Sequence, residues 1–79
     1  MCLGIPMRIV SLCEHTARCE RGGISRNVDV FLLQGQTLAI GDYVLVHVGY
    51  AIQKISHEDA SARLEIFQAM ERLEKNKHA

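Results

Sequence analysis

The first 55 positions of the chain are rich in β-branched residues broken by glycine, with apolar and polar residues alternating most clearly from 24 to 33, and beyond 55 apolar residues recur every three or four. The first period is that of strands and the second that of a helix. Residues 7–13 (MRIVSLC) suit a strand, 14–16 a turn and 17–20 a short return strand. Arg21-Gly22-Gly23 breaks the run. From 24 to 33, Ile24, Val28, Val30 and Leu32 alternate with Ser25, Asn27, Asp29 and Phe31, as in a half-buried strand. Residues 34–36 form a loop about Gly35. Gly41-Asp42 is a turn signal ahead of 43–48 (YVLVHV), which puts Val44, Val46 and Val48 on one face and Leu45, His47 and Gly49 on the other. Gly49 marks a bulge or sharp bend, and 50–55 continue beyond it. Five short strands with glycine at the corners predict a small closed or nearly closed barrel, because closure removes exposed edges. The expected fold is mainly β: an OB-like five-stranded β-barrel over 1–55 with a C-terminal α-helix over 56–79.

Residues 57–77 contain neither Gly nor Pro. Ser56 is placed to cap the helix, with Asp59 three positions on as a weak capping box. Glu58 and Asp59 suit the positive end of the helix dipole, and Lys75 and Lys77 the negative end. Ala60, Leu64, Phe67, Met70 and Leu73 make one apolar face. That face is expected to pack on the barrel, making one domain overall.

Size and charge narrow the function. A 79-residue chain buries only about 60% of its unfolded surface, which leaves few residues for a deep active site. With no Trp, two Tyr and two Phe, aliphatic residues carry the core. Nine basic side chains balance nine acidic ones, and the balance holds in both parts of the chain, so neither part strongly attracts nucleic acid or an anionic membrane. No leader pattern or bilayer-length apolar run occurs, so a cytoplasmic location is expected. Three cysteines, an odd number, fit reduced thiols rather than a disulfide scaffold.

Cys2 is the first candidate for chemistry. A small residue in second place permits removal of Met1, which would leave Cys2 with both a free amine and a thiol. The adjacent ammonium favours thiolate, the form that binds metal or attacks an electrophile. Pro6 restricts its own φ and biases Ile5 towards an extended conformation, and Gly4 permits an unusual turn. Cys2-Leu3-Gly4-Ile5-Pro6 can thus present the thiol in a defined direction, or simply turn into the first strand. His47 lies in the most strand-like run; a lone histidine there is more often structural, yet neutral imidazole is a good ligand for borderline metals. Cys13, His15 and Cys19 flank one turn, but zinc sites use close pairs and four ligands, so no structural metal is expected. His15, His57 and His78 fit solvated surface positions. Gly22-Gly23 matches neither nucleotide-binding fingerprint.

Two segments also resemble a known family. Met1-Cys2-Leu3-Gly4-Ile5-Pro6 is similar to the N-terminal signature of the HypC/HybG/HupF group of [NiFe]-hydrogenase maturation chaperones, and residues 41–52 (GDYVLVHVGYAI) to its second signature. Residues 23–28 (GISRNV) resemble its middle strand. The start-anchored cysteine, the proline four residues on and the V-H-x-G-F/Y-A run are specific in combination. The resemblance implies an OB-like barrel with a terminal helix and a carrier role without catalysis. The cargo it implies is a transient Fe(CN)2(CO) iron unit, with no permanent cofactor. The partners are a HypD-type iron–sulfur scaffold protein and the [NiFe]-hydrogenase large-subunit precursor; nucleic acid and membrane are not implied. Cys2 matches the family's essential cysteine and iron ligand. His47 matches its motif histidine, which contributes to the iron site directly or through a neighbouring group. Cys2, Leu3, Gly4, Pro6, His47, Gly49 and Tyr50 form the partner-binding set. Tyr50 stands where Phe is common and Met7 where Gly is common. Cys13 and Cys19 match no functional position and are read as structural.

Two other classes compete. An OB-type nucleic-acid binder needs a basic groove with stacking aromatics, which zero net charge and four aromatics oppose. A thiol enzyme pairing Cys2 with His47 as nucleophile and base lacks a third group and a pocket in the sequence.

Overall fold

The computed structural model describes residues 4–78, without the side chains of Phe67 and of residues 74–78. Five strands close into a barrel: β1 (Ile5–Leu12), β2 (Thr16–Arg21), β3 (Ile24–Asp29), β4 (Tyr43–His47) and β5 (Tyr50–Ile55), in the order β1-β2-β3-β5-β4. The β1–β4 pair closes it and is antiparallel, with Ile5 opposite Val46 and Met7 opposite Val44. The β3–β5 pair is parallel at Asp29 and Tyr50. This is the expected OB-like barrel, and it sets the first strand beside the fourth.

Alternation fills the interior. Met7 and Ile9, Ala17 and Cys19, Val28, Val44 and Ala51 form the core, and Val30 and Leu33 belong to it. A second cluster lies outside the barrel wall, where Leu45 and Ile55 are covered by Ala60 of the helix α1 (His57–His78). A bulge makes this arrangement consistent. The register passes from Leu45↔Gln53 to Val46↔Ala51, leaving Ile52 as the extra residue. Without it, Ile55 would fall on the same strand face as Ala51, inside the barrel rather than under the helix.

Three local expectations change. The first strand starts at Ile5, so Pro6 lies within it. Its ladder to β2 begins only at Arg8↔Glu20, and a residue without an N–H is tolerated where one neighbour is absent. The third strand stops at Asp29 instead of running to 33, and Phe31–Leu33 form a 3-10 turn. The Asp29 carboxylate accepts the Phe31 N–H at 2.8 Å, and the Val30 N–H turns to the His15 carbonyl at 2.9 Å. Val30 and Leu33 are therefore buried while Phe31 and Leu32 are exposed. Third, Val48-Gly49 is neither a bulge nor part of a continuous run; it is the two-residue turn of a β4–β5 hairpin, the sharp bend of the two alternatives.

The helix begins as its sequence implies. Ser56 Oγ accepts the Asp59 N–H at 3.1 Å, and the Ser56 carbonyl accepts the Ala60 N–H at 2.9 Å. The helix packs on β1 and β4, with Ala60 of its first turn against Leu45 and Ile55. Farther on, Met70 is 49% and Leu73 65% exposed, so the predicted face does not pack along its whole length. A helix of 22 residues is about 33 Å long and outruns a barrel that is part of a molecule measuring 44 × 21 × 20 Å. What ties its middle to the barrel is an ion pair the sequence did not suggest, Arg21 Nη2 to Glu71 Oε1 at 2.9 Å.

Candidate functional site

The β1–β4 seam places the site. Gly4 enters the barrel against β4: a Cβ built on it would stand 3.2 Å from the Val46 carbonyl oxygen and 3.2 Å from Leu45 Cβ. Its lack of a side chain serves close approach between two strands. Ile5 lies opposite Val46, so the same register carries Gly4 to the level of His47.

His47 ends β4 and is exposed, on the strand face of Leu45 and Tyr43 rather than that of Val44, in the core, and Val46, packed against it. It pairs with Tyr50 across the hairpin. Between them, Val48 and Gly49 both have positive φ, 50° and 82°, as in a type I′ turn, which twists with its strands. Gly49 adopts this freely. Val48 does not, because a β-branched side chain is crowded in the left-handed region. It is nevertheless 82% exposed, so little packing offsets the strain. The β2–β3 hairpin solves the same problem with Gly22-Gly23, at φ 53° and 84°.

The remaining predicted residues divide. Cys2 and Leu3 lie outside the described residues. Gly49 and Tyr50 are exposed on the hairpin beside His47. Pro6 is largely buried and lines a cavity with Arg8, Tyr43 and Leu64. Cys19 is wholly buried in the core while Cys13 is exposed at the β1–β2 turn. Burial raises the Cys19 thiol pKa, since charging it would cost desolvation. Cys13 and His15, both exposed, sit in the turn between β1 and β2, whereas Cys19 lies in the core. Among the described residues no three His, Cys, Asp or Glu side chains gather to hold a metal ion. His57, expected to be merely solvated, has structural contacts: its Nε2 lies 3.1 Å from the Gly41 carbonyl oxygen, and its ring packs edge-on against Tyr43 at 5.0 Å.

Two features of this end of the barrel escape the sequence. Val48 hides its turn inside an unbroken apolar run; the one signal was Gly49 two residues after a histidine. Arg26 was unremarked, yet it lines cavities beside Ile5 and Met7. Strands β2 and β3, the usual ligand face of OB barrels, carry no aromatic residue on which a base could stack. Among the described residues no helix is long and apolar enough to cross a membrane.

Known proteins resemble the chain along most of its length. The HupF/HypC family model matches residues 1–67. Hydrogenase maturation factor HypC of Cupriavidus necator is 39% identical over 75 residues, covering 94% of this chain and 81% of that protein. HypC of Escherichia coli K12 is 36% identical over 75 residues, 89% of this chain and 82% of its own length. Hydrogenase expression/formation protein HupF of Rhizobium leguminosarum is 40% identical over 62 residues, 78% of this chain and 61% of that protein. The matched segment contains the Gly4–Val46 seam, the His47 hairpin and the start of the helix, and on that match the chain belongs to the HupF/HypC family of hydrogenase maturation factors.

Proposed function

We propose that this maturation factor is a cytoplasmic carrier, not an enzyme. It takes up the Fe(CN)2(CO) unit in complex with a HypD-type iron–sulfur scaffold and delivers it to the [NiFe]-hydrogenase large-subunit precursor. Cys2 supplies the thiolate that holds the iron. His47 stands by as a second ligand or as a hydrogen-bond donor to the cargo or partner.

The observation that carries this reading is the contact of Gly4 with Val46, next to the exposed His47. Cys2 is two peptide links from Gly4, about 3.8 Å each between Cα atoms, so covalent geometry alone keeps it within reach of that end of β4. Cyanide and carbon monoxide keep iron low-spin, and thiolate is a suitable soft anchor. An α-ammonium on Cys2, once Met1 is removed, favours that thiolate. A site with few protein ligands releases its cargo readily, as a carrier must.

The test is purification of the tagged chain from anaerobic cells that make the other maturation proteins, with iron assay and infrared spectra. Iron accompanied by C≡N and C≡O stretching bands is the expected result. A chain that binds its partners but carries no such bands would overturn the carrier role.

A further inference from the structure

Two adjoining cavities, of about 150 and 230 Å³, open at the barrel end where Gly4 enters, and they share Ile5, Met7 and Arg26. Ile24 extends the wall of the smaller; Val46 and Val48 extend that of the larger. The lining is hydrocarbon apart from Arg26 in both, Asn27 at the larger, and Arg21 at the smaller, where Arg21 is engaged by Glu71 at 2.9 Å. Arg26 lies opposite Cys19 and on the strand face of Val28, both core residues. Its side chain therefore belongs to the inner face of the barrel, at the mouth, where it is exposed. Its Nη1 donates to the Ser25 carbonyl at 3.2 Å, and among the described residues no carboxylate pairs with it. Most of its five N–H donors are left for a ligand.

Among the described residues of the larger cavity Arg26 is the one cation of an otherwise mainly apolar lining, and a cation on an apolar wall complements a small, weakly hydrated anionic group. Cyanide bound to iron is such a group: its nitrogen carries negative charge and accepts a hydrogen bond. Carbon monoxide accepts only weakly and suits hydrocarbon. Ile5, which lines both cavities, is three links of about 3.8 Å from Cys2. We infer that Arg26 is a positioning residue for the cargo: its guanidinium donates to a cyanide nitrogen while Ile5, Val46 and Val48 shield the diatomic ligands from water. This rests on the carrier role proposed above.

The experiment compares wild type, R26Q and R26K, each a full chain co-produced anaerobically with the other maturation proteins. Iron per chain, the C≡N and C≡O stretches and the thermal midpoint are read together. R26Q should melt as wild type does, since Arg26 is exposed. It should carry on the order of tenfold less iron, the value of a charge-assisted hydrogen bond. Its residual C≡N bands should shift more than its C≡O band, and R26K should fall between the two. R26Q with wild-type iron overturns the inference. So does R26Q that loses iron without moving the C≡N bands, because Arg26 would then act on a partner. Absence of diatomic bands in wild type overturns the carrier role itself, and the inference with it.

Discussion

Gly4 and Val46 meet backbone to backbone, with 3.2 Å between the Val46 carbonyl oxygen and the place where a Cβ on Gly4 would stand. The contact holds the start of β1 against the end of β4, and so ties the segment leading to Cys2 to the hairpin bearing His47. Substitution Gly4→Ala should force the two strands apart by a few tenths of an ångström, at a cost of about 1 kcal/mol, as for other overpacked positions. Iron carriage should fall by more than this loss of stability explains. Thermal unfolding and iron assay on the same preparation check it; a variant that melts lower but loads fully would leave the seam a purely structural feature.

Cys2→Ala and His47→Ala should be non-additive in iron or partner binding. The two residues are proposed to act on one cargo from either side of the Gly4 contact, and groups sharing a ligand couple by about 0.5–3 kcal/mol in a double-mutant cycle. Neither change should lower the thermal midpoint appreciably, since His47 is exposed. Strictly additive losses would assign the cargo to Cys2 alone.

Val48 is a strained residue in an exposed turn, and Asn-Gly is the pair that type I′ turns prefer. Val48→Asn should therefore stabilise the isolated protein by about 1 kcal/mol, raising the midpoint by about 4–8 °C for a domain of this size. If the exposed valine serves binding, the same variant loads less iron while melting higher. An unchanged or lower midpoint would show that the strain is relieved in a way the geometry does not reveal.

The helix should be divisible. A chain ending at Met70 loses Leu73, which is exposed, and the Arg21–Glu71 pair, whose carboxylate side is half exposed and which is worth about 1 kcal/mol. It should unfold close to wild type. A chain ending at Ser56 uncovers Leu45 and Ile55, each worth about 1.5–3 kcal/mol when buried, against about 5–15 kcal/mol in all. Denaturant midpoints of the two truncations separate these outcomes; equal losses would mean the distal helix contributes more than its exposed side chains indicate.

Cys19 should make stability fall with alkaline pH. Its thiol pKa is raised by burial in the folded state, so folding is favoured fully below the ordinary thiol value near ~8.5. Above it, the unfolded chain gives up this proton first, and stability declines until the folded pKa is passed. Denaturation midpoints between neutral and alkaline pH should decline less steeply in Cys19→Ala, measured against its own neutral value. In native protein a thiol reagent should modify the exposed Cys13 and spare Cys19.

The strands and the helix were legible because their signals are local. Apolar, β-branched runs and, from residue 24, period-2 alternation marked five strands, Gly22-Gly23 and Gly41-Asp42 marked corners, and Ser56 marked the helix start three residues before the N–H it accepts. Local signals failed where long-range partners decided. Phe31–Leu33 continue an apolar run, yet Asp29 and the distant His15 carbonyl turn the backbone into a 3-10 turn. Met70 and Leu73 fall on a well-formed apolar stripe, but the barrel is too short to cover it. Val48-Gly49 lacks the usual turn residues, so the hairpin had no local mark beyond one glycine.

The site follows the same division. The sequence by itself determined which side chains carry chemistry: a thiol in second place, a proline and glycine that constrain the segment behind it, and one histidine in a strand. It could not bring them together, because Gly4 and His47 are more than forty residues apart and nothing in their own neighbourhoods encodes the pairing. Tertiary structure decided that. Barrel closure requires β4 to lie against β1, the strand register sets Gly4 level with His47, and the same closure turns Arg26 from a strand residue into a cation at the mouth of an apolar cavity.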